Sequence, residues 1–343
     1  MTTDAIGLTP DVRGVGGMVS FRRKLTAGLQ ARGFRVSNDP ADPGLAALLV
    51  IGGTRDLAGL RRARRRGVQV VQRLDGINWI HRRRRTGLRH FFRAETGNWI
   101  LRTIRDRYAD GIVYQSAFAK DWWERAYGPA NRPDTIIHNA VDLAVYQPDG
   151  PGQRPADFFR LLLVEGSLQG GYETGLASAV ELCQRIDNIL TQNMVKLAVA
   201  GQAPSELRSR HDKVLTEIEW LGLVAPEKIP ELDRSAHLLF SADLNPACPN
   251  AVIEALACGL PVAAFDTGAL RELVGEQAGA VVPYGGDPWR LDPPAIDGLA
   301  RAAIPVLENQ PPFRAAARRR AETLFDLDRM VERYLDALLG TTP

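Results

Sequence analysis

The chain alternates short, nearly unbroken apolar runs with longer stretches in which apolar residues recur at helical spacing. "AALLVIGG" (46–53), "VQVVQRLDG" (68–76), "GIVYQS" (111–116) and "DTIIHN" (134–139) lack in–out alternation and read as strands buried on both faces. In "MVSFRRKLTAGLQARG" (18–33), Met18, Phe21, Leu25 and Leu29 share one helical face, and Gly33 supplies the stop. "QPDGPGQRPAD" (147–157) interrupts the pattern with three prolines and two glycines, which predicts a hinge or linker. The alternation then restarts, with strands over 160–167, 195–201, 217–221, 237–241, 261–266 and 279–283. Helices are predicted over 173–187, 226–235, 249–257 and 268–275, and the tail reads as helical with a break near Phe325. Strand–helix alternation on both sides of a linker predicts an α/β protein of two doubly wound, Rossmann-like halves. Ligands are expected at the carboxyl ends of the strands, in the cleft between the halves.

A length of 343 residues agrees with two domains. No basic N-terminal start runs into an apolar segment, so no signal peptide is expected. The longest apolar run, "LAALLVI" (45–51), falls far short of the roughly 20 residues of a bilayer span. Cys183, Cys248 and Cys258 are odd in number and without CxxC spacing, which argues for a reducing, cytoplasmic setting and against structural zinc. The scattered histidines suggest no metal ligand set.

The net charge of +3 hides an asymmetry. Up to residue 145 there are 25 Lys+Arg against 13 Asp+Glu, and beyond it 18 against 27. The runs Arg61–Arg66 and Arg82–Arg85 supply most of the excess. Such a half attracts anionic surfaces, a peripheral membrane contact at the inner face among them; the bland alternative is a solvated, arginine-rich face. Nucleic acid is not expected, because aromatic residues do not alternate with the basic ones as stacking platforms.

Candidate chemistry concentrates in "NPACPNAVIEALACGLPV" (245–262). Pro249 suits a helix start, Gly259 a left-handed stop, and Pro261 forbids continuation. Amides at Asn250, Ala251 and Val252 then form an anion site with the helix dipole. Glu254, about 7 Å along the axis from Pro249, is a lone carboxylate amid Val252, Ile253, Ala255, Leu256 and Ala257. A nucleoside diphosphate offers matching groups: phosphates for the helix end and a ribose diol for the carboxylate. Asp75 closes a buried strand, where its carboxylate serves either to bind hydroxyls or accept a proton at a ligand cleft, or to open a turn before Gly76. Gln115 and Ser116 close another strand and are candidates for the same cleft.

From here the chain resembles a known family. "NPACPNAVIEALACGLPVAAFDTGALREL" is similar to the donor-binding segment of retaining, family 4-like glycosyltransferases of the GT-B fold (glycosyl transferases group 1). "RGVGGMVSFRRKLTAGLQARGFRV", "ADGIVYQSAFAKDWW", "IIHNAVDLAVYQP" and "ETLFDLDRMVERYLDALL" resemble, in order, the family's glycine-rich opening, last N-terminal unit, interdomain hinge and terminal helix. The resemblance implies an acceptor-side domain over 1–145, a donor-side domain over 146–323, and a helix over 324–343 crossing back to the first domain. It implies transfer of a sugar from a nucleotide-diphosphate donor, with retention and with no metal or other cofactor. The acceptor would be a saccharide or a lipid-linked saccharide. Glu254 matches the second glutamate of the family's Glu-x7-Glu motif, which holds the ribose. The backbone from Ala247 and Cys248 through Asn250, Ala251 and Val252 would cradle the diphosphate, with Gly166 beside it. Gly16 and Gly17 would let the opening loop approach phosphates or sugar.

Two departures stand out. Pro246 occupies the place of the first motif glutamate, a sugar contact. Ser167 and Gly170–Gly171 stand where the family carries an Arg and a Lys against the diphosphate. Compensation would come from a glycine nest and helix ends, or from an arginine of the first half such as Arg13 or Arg73. The rival readings are a GT-B protein that binds nucleotide or sugar without normal turnover, and a nucleotide-sugar epimerase on the same fold.

Overall fold

The computed structural model describes residues 5–12, 14, 16–85, 87–168, 173–191, 194–211 and 216–340. The chain divides into two compact units, Met1–Ala140 with Leu327–Pro343, and Val141–Asp326. In chain order the first unit runs β1 (Ala5–Thr9), α1 (Gly17–Ala31), β2 (Arg35–Ser37), β3 (Leu45–Ile51), α2 (Leu57–Arg65), β4 (Gln69–Leu74), α3 (Leu88–Arg107), β5 (Gly111–Tyr114), α4 (Ala117–Tyr127) and β6 (Asp134–Ile136). The second unit runs β7 (Phe159–Ser167), α5 (Glu173–Leu190), β8 (Val195–Gln202), α6 (Ser205–His211), β9 (Ile218–Gly222), α7 (Ile229–Ser235), β10 (Leu238–Ser241), α8 (Asn250–Ala257), β11 (Val262–Phe265), α9 (Leu270–Val274), β12 (Gly279–Val282), α10 (Ile296–Glu308) and α11 (Gln310–Leu324). The last helix, α12 (Leu327–Leu339), returns to the first unit.

Each unit holds one six-stranded sheet, and every pairing in both is parallel. The orders are β2-β1-β3-β4-β5-β6 and β12-β11-β10-β7-β8-β9. Parallel sheets are covered on both faces, which explains why β3 and β4 read as continuous apolar runs. The doubly wound architecture is therefore the one the alternation predicts.

Four first-unit elements lay outside the periodic pattern. β1 and β2 are short, and α2 is so rich in arginine that only Gly59, Leu60 and Ala63 form its buried side. α3 carries apolar residues on opposite faces, so no single helical stripe marks it.

α12 closes the first core. Val331, Tyr334 and Leu338 join Phe21, Leu25 and Leu29 of α1 over Ile6, Leu8 and Leu49. Gly28 makes the approach possible, because a Cβ there would overlap Val331 Cγ2. Arg32 fixes the register through Asp328 at 3.1 Å and Glu332 at 3.6 Å. In the second unit Leu161, Leu163, Leu197 and Phe240 pack against Leu176, Cys183, Leu299 and Ala303.

The proline-rich stretch read as a hinge belongs to the second unit. Arg234 donates to Gln147 O and Pro151 O, and Arg318 donates to Tyr146 O and Leu143 O. The units divide upstream, at Ala140/Val141, where the Val141 N–H donates to Phe325 O and the backbone bridges to Asp326.

Candidate functional site

In the second sheet β7 lies between β10 and β8, so chain connections leave it in both directions. The crevice at such a reversal, beyond the carboxyl ends of the strands, is where doubly wound folds take ligands. The loop after β7 and the segment from β10 to α8 flank it. α8 is short because both ends are fixed by sequence. Pro249, at φ −70° and ψ 124°, is the extended N-cap rather than the first helical residue. At the other end Gly259 adopts φ +68°, Gly259 N–H donates to Leu256 O, and Leu260 N–H donates to Ala255 O. That paired reversal satisfies two terminal carbonyls. Arg318 donates to a third, Ala257 O, at 2.8 Å, and so places a cation at the negative end of the helix dipole.

The N-terminal turn of α8 points the opposite way electrically. Its first amides have no acceptor within the helix, as at every helix start. No side chain caps it. Ala247 is partly buried and Cys248 is buried, so the approach is made of small side chains and backbone. Val252, Ile253, Ala255, Leu256 and Ala257 are buried while Glu254 stays half-buried on the same helix. One turn on, the Cys258 thiol lies beside Asp233, a fully buried carboxyl whose Oδ2 has no hydrogen-bond partner among the described residues. Burial first, and the charge of Glu254 second, push the Asp233 pKa well up. Glu254 therefore stands nearer the surface of this corner, with the more deeply buried Asp233 carboxyl behind it.

Pro246 has a structural place. Its carbonyl accepts the Ala269 N–H at 2.9 Å, and its ring and carbonyl fill the space a Cβ on Gly268 would need. Gly268, at φ +59°, is thus required both by its turn and by the proline. Beside it Asn245 is buried in the left-handed region, with its amide nitrogen unpartnered among the described residues.

Gly166 is open, with no atom within 4 Å of a notional Cβ. Ser167 ends β7 opposite Gln202 after a register shift. Gly170 and Gly171 lie outside the described residues, as does Arg13. Sequence reasoning missed a carboxylate pair here. Glu165, on β7, and Asp243, just after β10, sit at neighbouring strand ends. Burial, then the charge of Asp243, raises the Glu165 pKa well above the carboxylate range, and burial pushes Asp243 up to about 6. The signal was present: each is an acid at the end of an otherwise apolar strand run.

The other candidates belong to the first unit, all beyond carboxyl ends of its strands. Gly16, at φ 128°, precedes α1 with open space around it, and Gly17 is the first helical residue. The carboxyl end of β1 is fastened by buried Arg22, unmarked in the sequence, which donates to Leu8 O, Pro10 O and Asn38 Oδ1. Asp75 follows β4, its carbonyl accepting the Trp123 indole N–H at 2.7 Å. Burial raises its carboxyl pKa against the opposing charge of Arg73. Gly76 is demanded by the Trp122 ring, which would stand 2.7 Å from a Cβ there. Gln115 is buried, and Ser116 caps α4 by accepting the Ala119 N–H at 3.1 Å. Arg73 is committed to the core: it stacks 3.8 Å over Phe21 and donates to Asn139 Oδ1 at 2.7 Å. It is not a free cation for a phosphate.

The arginine runs are also partly engaged. Arg64 pairs with Asp110 at 2.7 Å, Arg66 donates to Pro40 O and Ala41 O, and Arg82 grips Glu95 through two bonds. Among the described residues no three His, Cys, Asp or Glu side chains group as a metal site, and no helix is long and apolar enough to cross a membrane. Cys183, Cys248 and Cys258 are free and buried.

Residues 161–309 match the family model described as glycosyl transferases group 1. A curated relative, D-inositol 3-phosphate glycosyltransferase 1 of Catenulispora acidiphila, is 30% identical over 222 residues, 57% of this chain and 52% of the relative. The chain thus spans about half the length of that relative. Among solved structures, sucrose-phosphate synthase from Thermosynechococcus elongatus superposes with a TM-score of 0.75 at 17% identity, covering 96% of this chain and 97% of the other. The Anabaena HepE protein in complex with UDP-glucose follows at 0.69 and 16%, covering 98% and 99%.

Proposed function

We propose, for a chain of GT-B fold whose second unit carries a group 1 glycosyltransferase domain, that it moves a sugar from a nucleotide-diphosphate donor to an acceptor with retention of configuration. The observation that carries this reading is α8: an amide end without a side-chain cap at the sheet's reversal point, with Glu254 one turn inside it. The phosphates bind the amide end and the ribose diol donates to the Glu254 carboxylate. In the transfer, the bond from the anomeric carbon to the diphosphate oxygen breaks as the acceptor oxygen bonds to the same face. The acceptor proton passes to the departing phosphate oxygen, so no strong protein base is needed. With Ser167 at the family's arginine position, the departing charge is met by backbone amides and the helix dipole.

The acceptor is a saccharide or a lipid-linked saccharide, reached from the cytoplasmic side with the basic first unit against an anionic membrane. Asp75 serves acceptor or sugar hydroxyls, with Gln115 at the next strand end. A second reading, donor binding without normal turnover, is favoured by Pro246, whose place under Gly268 leaves no carboxylate for the sugar. A thermal-shift screen of nucleoside diphosphates and nucleotide sugars, headed by UDP and UDP-glucose, tests donor binding; a ligand at 100 times its Kd adds about 2.7 kcal/mol. Release of free nucleoside diphosphate with an added acceptor then separates transfer from binding. A chain stabilised by no nucleotide would overturn both readings.

A further inference from the structure

α3 presents a face that the fold does not use. At about 100° per residue, Leu88, Phe92 and Trp99 fall within roughly 40° of one another, on the side opposite buried Ala94, Leu101 and Ile104. They are 77%, 65% and 58% exposed, and Phe91 beside them is 38% exposed. Half of the large apolar side chains exposed among the described residues thus stand on one helix. A contiguous apolar face of this kind marks an interaction surface.

Its charge identifies the partner. Arg83, Arg85, Arg89 and Arg93 are exposed around the N-terminal half of α3 and have no ion-pair partner among the described residues. The acids nearby are spent: Glu95 accepts from Arg82 and from His81, and Asp106 pairs with Arg102 and Arg105. The His81–Glu95–Arg82 clamp holds the preceding turn on α3, and the His81 ring meets Phe91 edge-on at 5.2 Å. A rigid apolar stripe bordered by unpaired cations suits a surface that is negative at its headgroups and apolar just beneath. We infer that the outward face of α3 docks on an anionic lipid bilayer, with Leu88, Phe92 and Trp99 entering the headgroup–acyl boundary and Arg83, Arg85, Arg89 and Arg93 meeting the lipid phosphates. This deepens the membrane-side reading of the first unit and rests on it. It also moves the contact from Arg61–Arg66, whose Arg64 and Arg66 are engaged, to the exposed face of α3 and to Arg83 and Arg85 just before it. The attachment is peripheral and reversible, in keeping with arginines acting only within a Debye length.

The test is co-sedimentation of the full chain with phosphatidylcholine vesicles, with and without phosphatidylglycerol, at low and high salt. Wild type sediments with the anionic vesicles at low salt and is released at high salt. Phe92→Ser/Trp99→Ser lowers the partition about tenfold or more, as does Arg83→Ser/Arg85→Ser/Arg89→Ser/Arg93→Ser. Unchanged circular dichroism and thermal midpoints establish that these surface variants fold. Wild type remaining in the supernatant, or binding neutral and anionic vesicles alike, overturns the inference. So does a Phe92→Ser/Trp99→Ser variant that sediments like wild type. A dimer seen by light scattering and dissolved by the same variant, without vesicle binding, would make a second copy the occupant and also overturn it. Thermal shift with UDP-sugars on the same samples separates the two readings: nucleotide binding without sedimentation refutes the docking face alone, and sedimentation without nucleotide binding refutes the donor site alone.

Discussion

Replacing Glu254 by Gln keeps the shape of the side chain and removes its charge. Two ribose hydroxyl bonds then change from charge-assisted, about 1.5–3 kcal/mol each, to neutral, about 0.5–1.5 kcal/mol each. The loss is about 2–3 kcal/mol for the pair. Against it stands the carboxylate's repulsion of the diphosphate, about 0.6 kcal/mol for unit charges some 7 Å apart in water-like surroundings. The net, about 1.4–2.4 kcal/mol, weakens nucleotide binding roughly ten- to fiftyfold at 1.4 kcal/mol per decade. The fold does not suffer, because the charge removed is one that helps push up the buried Asp233 carboxyl. Titration calorimetry with UDP and other nucleoside diphosphates measures the first effect, and thermal unfolding without ligand measures the second. Unchanged affinity for every nucleoside diphosphate refutes the ribose assignment. A collapse of the apo midpoint shows instead that Glu254 is a structural partner.

If position 246 is the sugar contact of the proposed donor site, its proline should leave donor and bare nucleotide bound with similar affinity; a donor held a hundredfold more tightly would show that another residue makes the contact. Asp243 stays protonated in the fold above the pH at which it ionises in the unfolded chain, so its stabilising contribution is present below about pH 4 and fades as pH rises through about 6. Asp243→Asn should therefore stabilise the protein at pH 7.5 and not at pH 4, and should flatten any gain in UDP-sugar affinity on going from pH 7.5 to 5.5; a pH-independent difference in midpoint would contradict the assignment. Gly28→Ala gains about 0.5–1 kcal/mol of helix propensity but meets Val331, an overpacking of about 1–3 kcal/mol, so it destabilises. Adding Val331→Ala should recover part of that loss, and simple additivity in denaturant melts would disprove the contact.

What the sequence made legible followed from burial on both faces and from backbone punctuation. Uninterrupted apolar runs announced β3, β4, β7 and β8, and Pro249 with Gly259 bounded α8 to within a residue. The failures have physical causes. β1 has only Ala5, Ile6 and Leu8 around Gly7, β2 has one apolar residue, and α2 hides two apolar contacts under arginines. α3 is apolar toward the core and toward solvent, so its residues cancel as a pattern although they matter twice. Prolines and glycines signal irregular backbone, whereas Arg234 and Arg318, distant in sequence, decide which unit the 147–157 stretch follows.

The candidate site divides along the same line. Glu254 was legible because a carboxylate inside an apolar helix needs a partner, and that requirement is local. Glu165 and Asp243 were marked only as acids ending apolar runs, and Asp233 not at all, because their interest lies in charges meeting across strands and helices distant in sequence. They change the problem the donor edge must solve. Where the family pattern places an arginine and a lysine, this chain has Ser167 and the Gly170–Gly171 pair, and it adds buried acids at the neighbouring strand ends. A diphosphate can settle beside such acids only while they hold their protons or while amides outweigh them. The α8 amide end, with its opposite pole pinned by Arg318 and the reversal at Gly259, is the counterweight within this unit. Loss of Arg318 should therefore weaken diphosphate binding from about a helix length away. Arg318→Met keeps the stem and removes the cation from Ala257 O, at a cost to nucleotide affinity of about 0.3–1 kcal/mol, roughly two- to fivefold. Calorimetry at low salt reads it. An affinity equal to wild type, in a variant with an intact fold, would mean the helix dipole does not reach the phosphates.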